Sequence, residues 1–371
     1  MKERKRNMKQ TVWNIPAPAS IPEELTQAGY PSLLCAVLAA RGVLDAREAA
    51  EFLRGGQTEP EDPYLLTDMD RAVARIRLAL DRGETAAVYG DYDVDGITAT
   101  CLLTEFLRDI GLKTEYYIPD RLEEGYGLNT GAIEHLRDMG VSLIITVDCG
   151  VTAVEETAYA RTLGIDMIIT DHHECQQALP RAAAVINPKR PDSAFSGREL
   201  AGVGVAYKLA CALSGDADSL LKRYCDLVAI GTIADVMPLV GENRCIVRAG
   251  LQKLRSDPRP GLAALMSEAG VRMDRLTASS VGFSLAPRIN AAGRLGRVQC
   301  AAALLLERDP RRTAPLAAEL CQMNRERQRL EADIWADAER MLGGTRPEGP
   351  IVLAGEGWHQ GVIGIVASRL A

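Results

Sequence analysis

Thr85-Ala86-Ala87-Val88-Tyr89-Gly90-Asp91-Tyr92-Asp93-Val94-Asp95-Gly96-Ile97-Thr98 is the stretch on which the reading of this chain turns. A short apolar run halts at Gly90, three aspartates follow at every second position, and Gly96 opens a helical pattern. Carboxylates that leave the end of a strand at alternating positions converge on a small volume and repel one another. Such a cluster persists at low cost when a cation neutralises it, so a divalent metal is the first expectation. A solvated acidic turn with Gly96 as its loop glycine fits the same residues. A calcium loop would carry Glu at its twelfth position, which counted from Asp91 is Leu102.

The 371 residues leave room for two or three domains with full cores. A net charge of −7 excludes a uniformly basic surface, so a polyanionic partner must be held by local arginines or by metal ions. Nine cysteines without a C-x-x-C pair suggest neither a disulfide framework nor a zinc ribbon and fit a reducing cytoplasm. The basic opening MKERKRNMKQ runs into TVWNIPAPAS rather than an apolar core, so it does not read as a signal peptide. No apolar run approaches the roughly 20 residues of a membrane span.

Outward from the aspartates, short apolar runs alternate with helical patterns, the signature of a parallel sheet flanked by helices in an α/β fold. Strands are expected over 85–89, 114–118, 143–147, 167–170 and 184–186, with helices over 97–110, 129–139, 153–163 and 203–213. Upstream, residues 1–80 read as an N-terminal accessory region with helical patterns over 22–29, 32–40, 46–53 and 68–82 and a Pro-rich linker at 60–63. Downstream of residue 238 the chain reads as a helical connector to about 345, closing in a long charged helix over 311–341. A strand over 351–354 then opens a second α/β domain.

Ligands of such sheets collect at the carboxyl ends of the strands. The first strand ends in Asp91, Asp93 and Asp95, the LIITVDCG strand in Asp148, and the DMIIT strand in Asp171-His172-His173, while the helical segment GTIADVMPL brings Asp235. Singly, Asp148 fits a helix cap and a histidine fits a packed residue. Three successive strand ends delivering such groups, in a chain with four histidines, point to a shared centre. Carboxylates with one or two imidazoles suit Mn²⁺ or Mg²⁺ better than structural zinc. Five or six ligands with one bridging aspartate suggest two ions about 3.5–4 Å apart, an arrangement suited to phosphoryl transfer.

The run GDYDVDGIT, the VDCG strand end, the triplet Asp171-His172-His173 and the aspartate of IADVMPL resemble the four signature motifs of the DHH phosphoesterase superfamily. With IPDRLEEGYGLN, DHHECQQALP, LAGVGVAYKL and PRINAAGRLG, the chain resembles, within that superfamily, the RecJ family of single-stranded-DNA-specific 5′-to-3′ exonucleases from about residue 60 to 371. The resemblance implies a DHH catalytic domain over 81–238 and the start of an incomplete DHHA1-like domain over 346–371. The remainder of that domain and the family's OB-fold domain are missing from these residues.

The same resemblance implies Asp93, Asp95, Asp148, His172 and Asp235 as ligands of two Mn²⁺ or Mg²⁺ ions, with Asp148 bridging. It places His173 beside the scissile phosphate, so that Asp93, Asp95, Asp148, His172 and His173 form the catalytic set. Many superfamily members carry histidine where this chain has Tyr89, which leaves Asp91 or water to complete the first ion's shell. Single-stranded DNA is the implied partner, with a single-strand-binding protein and a helicase as protein partners of a cytoplasmic monomer acting in recombination and repair.

For the substrate, Arg121 reads as a phosphate clamp and Tyr126 as a base-stacking residue or part of a surface loop. In PRINAAGRLGR the resemblance assigns Arg288, Asn290 and Arg294 to the substrate, while pairing with nearby acids is the plain alternative. His359 and Arg369 are further substrate candidates, with packing beside Trp358 as the other reading of His359. Gly202 and Gly204 fit either a phosphate loop or close helix packing. Two competing functions remain: a phosphodiesterase for short oligonucleotides or cyclic dinucleotides, or an inorganic pyrophosphatase, and a non-catalytic DNA-binding scaffold.

Overall fold

A computed structural model describes residues 20–54, 60–343 and 349–371. The basic opening and the lead-in to residue 19, with residues 55–59 and 344–348, lie outside the described residues. The chain divides into a small unit up to residue 58 and a large one from residue 59. The small unit holds α1 (Glu23–Gln27), α2 (Ser32–Ala40) and α3 (Ala46–Arg54) around Leu25, Cys35, Leu38, Val43 and Ala49.

The large unit opens with α4 (Met69–Arg82), whose Met69, Ala72, Val73 and Ile76 are buried in its main core. A five-stranded parallel sheet follows: β1 (Thr85–Tyr89), β2 (Lys113–Tyr117), β3 (Val141–Val147), β4 (Asp166–Thr170) and β5 (Ala184–Ile186). The helices between and after the strands are α5 (Val94–Asp109), α6 (Thr130–Asp138), α7 (Val154–Thr162) and α8 (Gly202–Ser214). Side chains alternate across each strand. Ala86 and Val88 face the core shared with α4, α5 and α8, whereas Ala87 and Tyr89 face the core shared with α6 and α7.

The strand order is β2-β1-β3-β4-β5. The chain leaves β1 toward one edge and returns on its other side as β3, so β1 and β3 flank the point where winding reverses. There the loops beyond the two strands part and leave a crevice at their carboxyl ends. Asp91 and Asp148 follow the two strands that border it.

A helical mass completes the unit: α9 (Ala217–Ala234), α10 (Gly241–Ser256), α11 (Pro260–Glu268), the one-turn α12 (Ala278–Ser280), α13 (Ala286–Arg294), α14 (Val298–Leu306) and α15 (Pro310–Leu342). The first half of α15 buries Ala317, Leu320 and Met323 in the main core. Its second half packs Ile334 and Ala338 against Val362 and Val366 of α16 (Gln360–Leu370).

The strand expected over 351–354 is not formed. Those residues belong to no ladder, and Val352 is 89% exposed. A strand needs a neighbour to satisfy its backbone, and no neighbouring strand is present among the described residues.

Candidate metal centre

The three aspartates of the opening stretch do not continue a strand as their spacing suggested. Asp91 lies in the loop after β1, Asp93 is the N-cap of α5 and accepts the Gly96 N–H at 3.1 Å, and Asp95 sits in the first helical turn. Helix geometry therefore gathers them, and the positive end of the α5 dipole favours their charge. Asp95 is 1% exposed, and its two oxygens accept the Gly202 and Val203 N–H groups at 2.6 and 2.8 Å. The N-terminus of α8 thus neutralises part of a buried carboxylate. Gly202 also permits a close approach, because a Cβ there would lie 2.5 Å from Asp148 Oδ1. Close packing together with anion binding explains the glycine, and the anion is a side chain of this chain.

Asp148 follows β3 with a left-handed φ of 60°, a conformation Asp tolerates better than most residues and one found at functional sites. Its Oδ1 lies 3.0 Å from His172 Nε2. The same nitrogen is 3.8 Å from Asp95 Oδ2 and 3.7 Å from Asp235 Oδ2. Asp235 reaches this point as the C-cap of α9. One imidazole nitrogen therefore faces three carboxylates drawn from three distant segments.

Three overlapping groups have ligand atoms within 4.8 Å of one another: Asp91, Asp93 and Asp148; Asp95, His172 and Asp235; and Asp148, His172 and His173. Asp148 and His172 each occur in two of them, and the 3.0 Å contact between the two links the groups. Electrostatics mark the strain of this gathering. Burial and then Asp93 push Asp91 up to about 7, and the same two causes push Asp235 up to about 6. Asp95 and Asp148 are driven well above the ordinary carboxylate range, chiefly by burial and then by neighbouring aspartates. Burial lowers His172 to about 4, which keeps the imidazole neutral and able to ligate. Asp91 Oδ1 and Asp148 Oδ1 are buried and accept no hydrogen bond. Buried acceptors without donors, massed with like charges and a neutral imidazole, are what hard divalent cations satisfy, so the donor set fits them.

Asp171 does different work from its neighbours. It is 1% exposed, and its Oδ1 accepts the His172 and His173 N–H groups at 2.7 and 3.1 Å and lies 2.7 Å from His173 Nδ1. Its Oδ2 accepts the Val151 N–H at 2.8 Å, tying the loop after β3 to the loop after β4. Burial alone would raise its pKa, but these hydrogen bonds outweigh burial and hold it below the ordinary value. The hydrogen bond to Asp171 in turn raises His173, against the lowering effect of burial. The sequence placed Asp171 at this rim as part of the Asp171-His172-His173 triplet but gave it no role apart from the histidines.

Beside the centre lies a cavity of about 280 Å³ lined by Asp91, Tyr92, Asp93, Arg121, Tyr126, His173, Asn290 and Arg294. Arg121 lies 4.9 Å over the Tyr92 ring, and Tyr126 meets Tyr92 and His173 edge-on. Burial and then the charges of Arg121 and Arg327 lower Arg294, the mark of cations crowded where an anion is wanted. Asn290 Oδ1 accepts the Val94 N–H at 3.1 Å, so α13 is pinned to the start of α5. Gly293 makes that approach possible, since a Cβ there would lie 2.2 Å from the Tyr92 carbonyl oxygen. Tyr92 was not singled out in the sequence.

Three expected substrate residues do not join this cavity. Arg288 donates to Cys321 Sγ at 3.2 Å and to the Ser284 carbonyl. In a helix it lies about 200° from Asn290, which shares a face with Arg294 four residues on. Arg369 pairs with Glu331 at 2.6 Å and lies 4.4 Å over Trp335, joining α16 to α15. His359 is the N-cap of α16 and accepts the Gly361 N–H at 3.1 Å. Tyr89 is fully buried, donates to the Gly127 carbonyl at 3.0 Å and stacks on Tyr117, so it props the 119–129 loop from beneath.

Residues 85–232 match the DHH family, N-terminal domain. The single-stranded-DNA-specific exonuclease RecJ of Bacillus subtilis is 43% identical over 340 residues, covering 91% of this chain and 43% of that protein. The Escherichia coli protein of the same name is 38% identical, covering 95% of this chain and 63% of the relative. The chain thus spans about half the length of these curated relatives. Among solved structures, an exonuclease RecJ bound to manganese superposes with a TM-score of 0.75 at 38% identity, covering 84% of this chain and 79% of that one. RecJ of Thermus thermophilus in complex with Mn²⁺ superposes at 0.79 with 33% identity, covering 96% of this chain and 51% of that one. Likeness of this depth over most of the chain means that the chain belongs to the RecJ family of DHH phosphoesterases.

Proposed function

We propose that the chain is the catalytic part of a metal-dependent exonuclease that hydrolyses phosphodiester bonds of single-stranded DNA in the 5′-to-3′ direction. The observation that carries this reading is the joining of Asp91, Asp93, Asp95, Asp148, His172 and Asp235 beside a cavity walled by Arg121 and Arg294. Asp91, Asp93 and Asp148 would hold one Mn²⁺ or Mg²⁺ ion, and Asp95, His172 and Asp235, with Asp148 shared, a second. When bound, such a pair neutralises phosphate charge and lowers the pKa of a water to make it nucleophilic. Arg121 and Arg294 bind the strand's phosphates from the opposite wall, each as a forked donor. His173, held by Asp171, presents its other ring nitrogen to the scissile phosphate. Asn290 and Tyr126 border the path of the strand.

The relatives' name, single-stranded-DNA-specific exonuclease, supports the substrate class. In this reading residues 81–238 are the DHH domain, 239–345 the connector and 346–371 the start of a DHHA1-like domain. No helix among the described residues is long and apolar enough to cross a membrane. A cytoplasmic monomer that works on strands opened by a helicase and met with single-strand-binding protein is the setting we infer. The test compares hydrolysis of a long 5′-labelled single strand with that of a dinucleotide in Mn²⁺. Release from the 5′ end of the long strand is expected, and preference for the dinucleotide overturns the reading.

A further inference from the structure

Phe283 is 84% exposed, an unfavourable placement for a large apolar ring. It stands in Val281–Leu285, a single π-helical turn between α12 and α13 whose Val281 and Leu285 are buried. The turn is therefore anchored on both sides of the exposed ring. A π turn shifts side chains off the α-helical phase and recurs at functional sites.

The location is specific. A Cβ on Gly282 would lie 3.6 Å from Ile233 Cγ2, two residues before Asp235 at the end of α9. Phe283 therefore stands one residue from a contact with the last turn of α9, the turn that ends at Asp235. Val236, next to Asp235, is 85% exposed with a left-handed φ of 58°, so a second apolar side chain is held outward on the same rim. Directly after the turn, α13 carries Asn290 and Arg294 into the cavity. The turn that carries the exposed ring thus lies between the end of α9, which brings Asp235, and α13, which brings Asn290 and Arg294.

We propose that Phe283 is a stacking platform for one base of the bound single strand, next to the nucleotide whose phosphate lies at the metal centre. The proposal rests on the nuclease reading. An unpaired strand presents free π-faces, and covering one removes two apolar surfaces from water whatever the base. Bases in a duplex are already stacked and offer no such face, so the contact also favours single strands over duplex.

The test is binding of 5′-phosphorylated oligothymidylate, measured by fluorescence anisotropy in the Asp148→Ala background so that the strand stays whole. Phe283→Ala is expected to raise Kd about tenfold and Phe283→Trp to restore it. An abasic residue moved along the strand is expected to cost the Phe283 protein a similar factor at one position and to cost Phe283→Ala nothing there. Unchanged affinity in Phe283→Ala overturns the proposal. So does a loss that Trp fails to restore and that no abasic position reproduces, as expected if protein covers this ring. Absence of binding when Phe283 is intact overturns the nuclease reading itself, before any Phe283 variant is compared.

Discussion

The two halves of the acidic centre are built on different principles. On one side Asp95 is bonded to two amides at the start of α8, His172 is enclosed, and Asp235 closes α9. On the other side Asp91 keeps a buried oxygen without a donor, and Tyr89 is turned away toward Gly127. The first half is organised by helix termini that exist whether or not an ion is bound. In the second half Asp93 caps α5, but the buried oxygen of Asp91 has only a cation to satisfy it. Preorganisation and ion dependence are thus divided within a single cluster, with Asp148 belonging to both.

Asp148→Ala removes the shared ligand and should abolish the distinction along with the activity. Loss of outer partners of a metal site commonly costs about 10- to 100-fold, so loss of this inner group should exceed a hundredfold in Mn²⁺-dependent hydrolysis. Activity surviving near the unchanged level would dismantle the two-ion reading. Asp171→Asn should cost within that 10- to 100-fold range, read as kcat on single-stranded DNA, because His173 loses its orienting carboxylate while the first group of ligands is untouched.

Asp95→Asn and Asp91→Asn sharpen the comparison by sign. The side-chain amide introduced by Asp95→Asn would set an NH₂ against an α8 N–H and lower the metal-free Tm by several degrees, whereas Asp91→Asn removes a repelling charge and should leave Tm equal or higher. Thermal melts in EDTA decide the matter, and a fall in both would show that the halves are not different after all.

Acidity offers a gentler probe. Asp91 and Asp235 have folded-state values near 7 and 6, above the ordinary value, so the native state binds their protons more tightly than the unfolded chain does. That contribution is whole below about pH 4 and is lost as pH rises through 6 and 7. In EDTA Tm should therefore fall from pH 5 to 8, and Mn²⁺ should raise it most at the alkaline end. A Mn²⁺ increment independent of pH would contradict this. The smallest effect is expected at Arg369→Ala: a half-exposed pair is worth about 1 kcal/mol or less, and activity should stay unchanged.

Much of the sheet was legible because purely parallel strands read as short apolar runs between turn signals. β1 and β5 occupy the expected residues, and α5 begins three residues earlier than expected because Asp93 caps it. The strand at 351–354 failed because its pattern is local while its pairing is not. Arg288 was separable in principle, since the helical phase of 290 and 294 excludes it, but only once that run is known to be helical. Tyr92 carried no local mark of its role, whereas Asp171 at a strand end and Gly202 in a G-x-G run carried marks that did not say which partner each would meet.

Residue order alone determined that acidic and imidazole groups stand at the ends of three of the strands, because hydrophobic periodicity places strand ends and chemistry names the donors. Tertiary structure alone decided that β1 and β3 adjoin at the reversal of the sheet, that α8 gives its N-terminus to Asp95, and that α13 turns Arg294 inward and Arg288 away. Those outcomes depend on contacts between segments far apart in the chain, and no local pattern encodes the distance between them.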